Sequence, residues 1–226
     1  MQHPIISMVK AVCKQYGVRL IMHRGIGNAL GGFSEADKTL HIYTRYTRQK
    51  GKRRGKPRVV QVKREEILMT AIHEMVHMCQ WRRKSNDWHC VSQSCGERMS
   101  DIILIHAAGE KWYKRTDLYE SALIVARLEF EAEITAIRIM ELFGERHSRA
   151  KSIRNAKAYA ASFLVFALTG IMVRGRQYAK WHKHLSNALT FDVDGPTLSK
   201  LCEIATANRD ISYTIWEGKT CIKSTW

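Results

Sequence analysis

Residues 65–83, EEILMTAIHEMVHMCQWRR, decide the fold of this 226-residue chain. Apolar side chains recur in this stretch three and four positions apart, which predicts a single amphipathic helix. The apolar positions are Ile67, Leu68, Ala71, Ile72, Met75, Val76 and Cys79. Because the chain is long enough to bury a sizeable core, we expect this helix to pack inside a globular domain.

The helix carries the motif H-E-x-x-H, which is His73-Glu-Met-Val-His77 here. Two histidines four residues apart share one face of a helix, about 6 Å apart along its axis, so both imidazoles can bind one tetrahedral zinc ion. Glu74 then faces the open coordination position, where it can take a proton from an activated water and pass it to a leaving amine. The alternative is two surface histidines, but the apolar residues between them indicate a helix that is at least half buried. The motif predicts one catalytic Zn²⁺ per chain.

A catalytic zinc site needs a third protein ligand, and the first candidate is Glu129. It lies in a second helical stretch, where Glu129 and Glu133 are four residues apart and share a face. Glu131 points about 200° away from Glu129 on the same helix. Glu133 can accept a hydrogen bond from a ligand histidine while Glu129 binds the metal. The alternative is an acidic helix face that pairs with some of the many arginines.

The second candidate for the third ligand is His89, which follows the motif helix in a polar stretch. A histidine in a polar loop is commonly an exposed residue without a metal, so this position fits either role. Cys90 and Cys95 offer thiolates, but no further cysteine pair accompanies them. The oxyanion-stabilising residue stays open, with Tyr119 and His106 as candidates.

These residues resemble the zincin metallopeptidases. Residues 129–136, EFEAEITA, are similar to the E-x-x-A-(N/D/E)-x-x-A helix of gluzincins of the ImmA/IrrE-like kind, which include many phage-encoded proteins. The resemblance implies a zincin-like core in which His73, His77 and Glu129 bind zinc. It also implies Glu74 as the catalytic base and Glu133 as the partner of a ligand histidine.

A second branch of the zincins, the SprT-like proteases, is similar in residues 28–42 and in the motif followed by His89. This resemblance implies His89 as the third ligand. The usual H-G-x-x-F/W of that family is replaced here by HCVSQ at residues 89–93, and the zinc ribbon of the family has no counterpart in the sequence. The two resemblances together cover residues 18–143 or so.

The chain is strongly basic, with 37 Lys and Arg residues against 21 Asp and Glu residues and a formal net charge of +16. Such an excess favours a polyanionic partner, and nucleic acid is the first candidate. The segment 45–64 contains no acidic residue, and its glycines and proline break helices. We therefore predict a loop that is either simply solvated or follows a phosphate backbone. The predicted nucleic-acid contacts are Arg45, Arg48, Lys50, Lys52, Arg53, Arg54, Lys56 and Arg58.

The remaining patterns predict an α+β fold in which a small N-terminal sheet packs on the motif helix. Residues 18–23 and 39–43 are β-rich runs separated by glycines, so they are expected to pair as strands. Helices are predicted over residues 97–108 and 118–143, the second ending at Gly144.

The charged segment 145–155 is the predicted boundary between two domains. A zincin-like metallopeptidase core is expected over residues 1–145, and a mostly helical extension over residues 146–226. The extension includes a helix that begins near Pro196, and its last residues, 211–226, have the pattern of a β-hairpin.

Residues 158–173, AYAASFLVFALTGIMV, carry no charge. Crossing a bilayer takes about 20 apolar residues, so this shorter run predicts a buried core helix, with membrane anchoring as the weaker alternative. The basic aromatic stretch 174–184 is expected to flank this helix rather than to stack on bases. The six cysteines form no Cys-x-x-Cys pair and the N-terminus has no apolar signal region, so we expect a cytoplasmic protein with free thiols.

Together these patterns predict a zinc metallopeptidase that hydrolyses proteins bound to nucleic acid. Two alternatives stay open. One is a SprT-like, DNA-associated protease with His89 as the third ligand, and the other is a non-catalytic nucleic-acid-binding or virion structural protein with a zincin fold. No pattern indicates the peptide specificity, the choice between DNA and RNA, or the oligomeric state.

Overall fold

The computed structural model describes residues 3–27, 29–48, 58–83, 115–145, 148–171, 173, 175–207, 214–217 and 220–223. The described part is mostly helical, with a small sheet near the N-terminus, so the predicted α+β class is confirmed. The chain divides into two compact units. The first comprises Met1–Lys84 and Glu131–His147, and the second comprises Ser85–Phe130 and Ser148–Trp226. The functional boundary expected at residue 145 stays a prediction.

The first unit begins with helix α1 (Pro4–Gln15), for which the sequence analysis made no prediction. Proline suits the first turn because the N–H group that it lacks has no partner inside the helix. The side chain of His3 caps this end, since its Nδ1 accepts a hydrogen bond from the backbone N–H of Ile5 at 3.2 Å. The buried face of the helix consists of Ile5, Ile6, Val9 and Cys13.

Four strands form the sheet of the first unit: β1 (Arg19–Gly27), β2 (Gly31–Ser34), β3 (Thr39–Arg48) and β4 (Arg58–Gln61). β1 pairs with β3 in parallel, whereas β2 and β4 both pair with β3 antiparallel, along its first and second half. The expected pairing of residues 18–23 with residues 39–43 is therefore observed, with Leu20 beside Leu40. The short strands β2 and β4 were not predicted.

The basic segment is in part a pair of strands rather than the predicted loop. Arg45 and Arg48 lie in β3, Arg58 lies in β4, and Arg48 is opposite Arg58 in the antiparallel register. The loop prediction was wrong here because the run of charges hid a β signal, the β-branched residues Val59 and Val60. Five predicted contacts fall outside the described residues, namely Lys50, Lys52, Arg53, Arg54 and Lys56.

Helix α2 (Arg64–Arg83) carries the motif and packs on β2 and β3, as the sequence predicted for residues 65–83. Acidic residues in its first turn and arginines in its last turn complement the helix dipole. The core of the first unit lies between this helix, α1 and one face of the sheet. Its fully buried members include Leu40 and Ile42 of β3 and Ile72 of α2.

Helix α3 (Arg115–Leu142) corresponds to the helix predicted over residues 118–143. The chain leaves it through Gly144, which adopts the left-handed conformation at φ 71° that favours glycine. In the first unit, Ala132, Ala136 and Met140 of this helix join the core. The carboxylate of Glu145, just beyond the helix, lies 2.7 Å from His3 Nε2 and accepts a hydrogen bond from Arg64 at 2.9 Å.

The second unit contains the expected apolar core helix, α4 (Arg149–Thr169), which starts within the predicted boundary segment. It ends at Gly170, at φ 70°, three residues before the end of the uncharged run. No helix of the described ranges combines the length and apolarity needed to cross a membrane. Two 3₁₀ helices (Gly175–Lys180 and His182–His184) follow, then helix α5 (Gly195–Ala207) and the strands β5 (Thr214–Glu217) and β6 (Thr220–Lys223). These two strands pair antiparallel at the position expected for the hairpin.

A lysine lies inside the second unit, where the side chain of Lys157 on α4 is fully buried. Its Nζ donates hydrogen bonds to Ser186 Oγ and to Asp192 Oδ1, each at 2.6 Å. The hydrogen bond from the ammonium group lowers the pKa of the Asp192 carboxyl. Trp181 is also buried and the Tyr178 hydroxyl donates to the Val173 carbonyl oxygen at 3.2 Å, so the basic aromatic stretch flanks α4 as expected.

Candidate metal centre

Three predicted zinc ligands come together in the structure. His73 and His77 lie one turn apart on α2, and their Nε2 atoms are 3.0 Å apart. Each histidine offers one nitrogen and Glu129 of α3 offers one carboxylate oxygen, and these donor atoms all lie within 4.8 Å of one another. Within the part of the chain that the structure describes, this is the one group of three His, Cys, Asp or Glu side chains arranged to hold a metal ion.

The donor set fits zinc. Two imidazoles and one carboxylate are a common protein ligand set for catalytic Zn²⁺, with a fourth position left for water or substrate. Two nitrogens bound to one tetrahedral zinc ion are about 3.3 Å apart, and the two Nε2 atoms are already close to that separation. All three side chains are half-buried.

His73 is oriented by the carboxylate of Glu133. The distance between His73 Nδ1 and Glu133 Oε1 is 3.3 Å, and the two side chains are 14% and 29% exposed. A carboxylate at this distance favours the tautomer with the proton on Nδ1, which leaves the lone pair of Nε2 for a metal. Glu133 thus lies beside His73 at an ion-pair distance, whereas its role as the hydrogen-bond partner of a ligand histidine stays a prediction.

His77 is oriented by a chain of side chains that the sequence analysis did not predict. Gln80 Oε1 lies 2.8 Å from His77 Nδ1, and the fully buried Gln80 donates its amide N–H to Glu131 at 3.0 Å. Arg83 donates to the other carboxylate oxygen of Glu131 at 2.8 Å. Because the amide N–H of Gln80 points to a carboxylate, its oxygen is the atom left to accept the Nδ1 proton of His77.

The sequence contains a signal for the hydrogen bond between His77 and Gln80. Gln80 follows His77 by three residues, so both lie on neighbouring positions of one helix face. Glu131 was placed correctly away from the face of Glu129, but that second face is the one that reaches Gln80. An amide three residues after a ligand histidine is therefore a residue to look for in such motifs.

The predicted base, Glu74, lies beside strand β2. A Cβ atom added to Gly31 would lie 3.0 Å from Glu74 Cγ and 2.6 Å from Thr70 Cγ2. The backbone of β2 therefore runs against the side chain of Glu74, at a distance that only glycine permits. Glu74 itself is half-buried on α2.

The described thiols near the site are poor metal ligands. Burial, together with the nearby Cys79, raises the pKa of Cys13 to about 11. Burial raises the pKa of Cys79, an effect that Arg83 opposes and Glu131 reinforces. Both groups are therefore protonated at neutral pH, whereas a metal needs the thiolate.

Several candidate residues lie outside the described ranges, namely His89, Cys90, Cys95 and His106. Tyr119, the other candidate for oxyanion stabilisation, is half-buried on α3. The predictions for all of these residues stay predictions.

No family model, curated protein or solved structure matches this chain.

Proposed function

We propose that this chain is a zinc-dependent metallopeptidase. One observation carries the proposal: two histidines and a glutamate present converging donor atoms, and an oxygen atom lies beside the Nδ1 atom of each histidine, from Glu133 at 3.3 Å and from Gln80 at 2.8 Å. His73, His77 and Glu129 would bind one zinc ion. When bound, zinc supplies a Lewis acid that activates water near neutral pH and polarises the scissile carbonyl group.

Glu74 acts in this proposal as general base and then as general acid. Its carboxylate accepts a proton as the water oxygen adds to the peptide carbonyl carbon, and it then donates that proton to the amine nitrogen as the C–N bond breaks. Glu74 suits this role because it follows the ligand His73 directly on α2 and lies against β2.

A peptide substrate would bind along β2. Among the described strands, β2 pairs with β3 alone. An extended peptide can add main-chain hydrogen bonds to such a strand, which holds it without a requirement for particular side chains. Because Gly31 brings β2 into contact with Glu74, a peptide bound along β2 would lie close to the side chain of Glu74.

Glu129 as third ligand supports the gluzincin branch over the SprT-like branch. Its carboxylate belongs to the converging donor group, and Glu133, one turn later on the same helix, contacts His73. Zinc that is retained in Glu129→Ala and lost in His89→Ala would reverse this assignment.

We also propose that the substrates are proteins bound to nucleic acid. Strands β1, β3 and β4 contain five arginines and no acidic residue, and the net charge of the chain is +16. The same surface supports the alternative of a non-catalytic nucleic-acid-binding protein. Replacing Glu74 distinguishes the two functions, because only the peptidase needs its carboxylate.

The test compares Glu74→Gln with the parent chain on an unstructured protein substrate, free and bound to DNA. Glu65→Gln is the matched control, since it removes an exposed carboxylate from the same helix. We expect Glu74→Gln to keep its zinc and to lose about 10²–10⁴-fold in turnover, as loss of a general base does. Equal cleavage by the parent and Glu74→Gln, or cleavage by neither, would overturn the peptidase proposal.

A further inference from the structure

The sheet of the first unit has a polar, aromatic face opposite the one that carries the core. Leu40 and Ile42 of β3 point into the core, so the residues alternating with them point to the other side, which we call the outer face. Three nearly parallel rings lie there in a row. His23 lies between His41, at a centroid distance of 5.1 Å, and Tyr43, at 4.4 Å, and the rings are within 21° of parallel. We call this row the ring ladder.

Hydrogen bonds hold the ring ladder in place. His23 Nε2 lies 2.8 Å from His41 Nδ1, and His41 Nε2 lies 2.7 Å from Thr39 Oγ1. Each imidazole nitrogen at these contacts therefore has a partner, which fixes the planes of both histidine rings. All three rings of the ladder are half-buried. The ladder is thus a fixed row of rings rather than a set of mobile side chains.

The ladder ends in an open position beside strand β2. Gly32 is opposite His41 in the antiparallel register, so it shares the outer face and offers no side chain to cover that ring. A Cβ atom added to Gly32 would meet no atom of the described residues within 4 Å. The rings of His41 and His23 meet edge to edge, because the hydrogen bond between their nitrogens lies in the ring planes, so His23 does not cover the faces of the His41 ring.

The charge around the ladder suits a polyanion. Arg19 of β1 and Arg45 of β3 are exposed. Because side chains alternate between the two faces of a sheet, both arginines lie on the outer face, as the three rings do. Strands β1, β3 and β4 contain no Asp or Glu. Phosphate groups therefore meet arginines on both sides of the rings, without a carboxylate from these strands to repel them.

We infer that the outer face binds single-stranded nucleic acid, with a base stacked on His41 in the open position at Gly32 and with phosphates on Arg19 and Arg45. A single strand is required because the bases of a duplex are stacked on one another, so their faces are not available to the His41 ring. The inference deepens the nucleic-acid part of the proposed function and does not depend on the metal centre.

The experiment measures binding of the full chain by fluorescence anisotropy, with a labelled oligothymidylate of about 16 nucleotides. The same strand annealed to oligoadenylate supplies the duplex, and oligouridylate supplies the RNA. The test variant is Gly32→Val, which fills the open position with a strand-forming side chain. Gly25→Val is the matched control, because Gly25 of β1 also has open space around it. His41→Ala removes the ring itself.

We expect Gly32→Val and His41→Ala each to weaken binding of the single strands about tenfold, with duplex binding and Gly25→Val close to the parent. A circular dichroism melt with the midpoint of the parent is the control that the Gly32→Val chain is folded. Single-strand binding by Gly32→Val and His41→Ala equal to that of the parent would overturn the ring ladder as a site while leaving the proposed function intact. Equal affinity of the parent for duplex and single strands would also overturn it. A parent that binds none of these probes would remove both the inference and the nucleic-acid partner, whereas zinc binding and peptidase activity would still test the metal centre.

Discussion

Two pairs of histidines in the first unit have nearly the same nitrogen separation but opposite surroundings. His73 and His77 on α2 bring their Nε2 atoms to 3.0 Å, and His23 and His41 on the sheet bring a nitrogen from each ring to 2.8 Å. In the helical pair, oxygen atoms of Glu133 and Gln80 lie beside the two Nδ1 atoms, and both histidines belong to the donor group that Glu129 completes.

In the sheet pair, both nitrogens of His41 have hydrogen-bond partners. Its Nε2 contacts Thr39 Oγ1, and its Nδ1 contacts His23 Nε2, so one proton between the two rings satisfies that contact as a hydrogen bond. The donor group identified for a metal accordingly contains the helical pair and not the sheet pair. A short nitrogen-to-nitrogen distance therefore does not by itself distinguish a candidate metal site, whereas the partners of the remaining nitrogens do.

The largest expected difference between the pairs is in zinc binding. Replacing His77 or Glu129 by alanine should weaken zinc binding by more than about a hundredfold, because each substitution removes a ligand and not only its support. His41→Ala, the matched change in the sheet pair, should leave zinc affinity unchanged. Competition with a chromogenic chelator measures all three, and zinc loss in His41→Ala would break the comparison.

A smaller effect is expected from the residues that orient the rings. Gln80→Ala should weaken zinc binding about 10- to 100-fold, since His77 loses the acceptor that fixes its tautomer. Thr39→Val removes the corresponding contact of His41 and should not change zinc affinity. If Gln80→Ala and Thr39→Val bind zinc equally well, the chain from Arg83 to His77 has no role in metal binding.

The smallest effect is expected at the two adjacent glycines of β2. Gly31 lies against the motif helix α2, and Gly32 lies opposite His41 of the sheet pair. Gly31→Ala places a methyl group against Thr70 and Glu74, so turnover should fall about tenfold through displacement of the base, with zinc retained. Gly32→Ala has open space and should leave turnover unchanged. A steady-state comparison of kcat in the two variants measures the difference, and equal rates would show that Gly31 does not position Glu74.

Spacing along the chain was sufficient to predict the motif helix and the helix of Glu129. Apolar residues three and four apart fixed both helices, and the four-residue spacing of His73 and His77 fixed the face that they share. The position of Glu129 near this face was predicted from the ligand chemistry of zinc and not from periodicity. Periodicity in a single sequence does not indicate which helices pack together.

Other features depend on contacts between distant residues, which local patterns do not contain. The link from Gln80 to Glu131 joins two helices that are 51 residues apart in sequence. The parallel pairing of β1 with β3 brings His23 beside His41, and the two strands alone do not indicate the direction of pairing. Helix α1 was missed although its apolar residues and Pro4 carry an ordinary helix signal.

The buried amine of Lys157 gives the second unit a chemical marker of its own unfolding. Acylating reagents modify accessible amines, and a fully buried Nζ that donates to Ser186 and Asp192 becomes accessible only when the unit opens. The lowered pKa of Asp192 means that this contact contributes fully above the ordinary value of 3.8 and is lost as the pH falls through the lower value of the folded state. Mass spectrometry of residue 157 after labelling would thus follow the opening of the second unit.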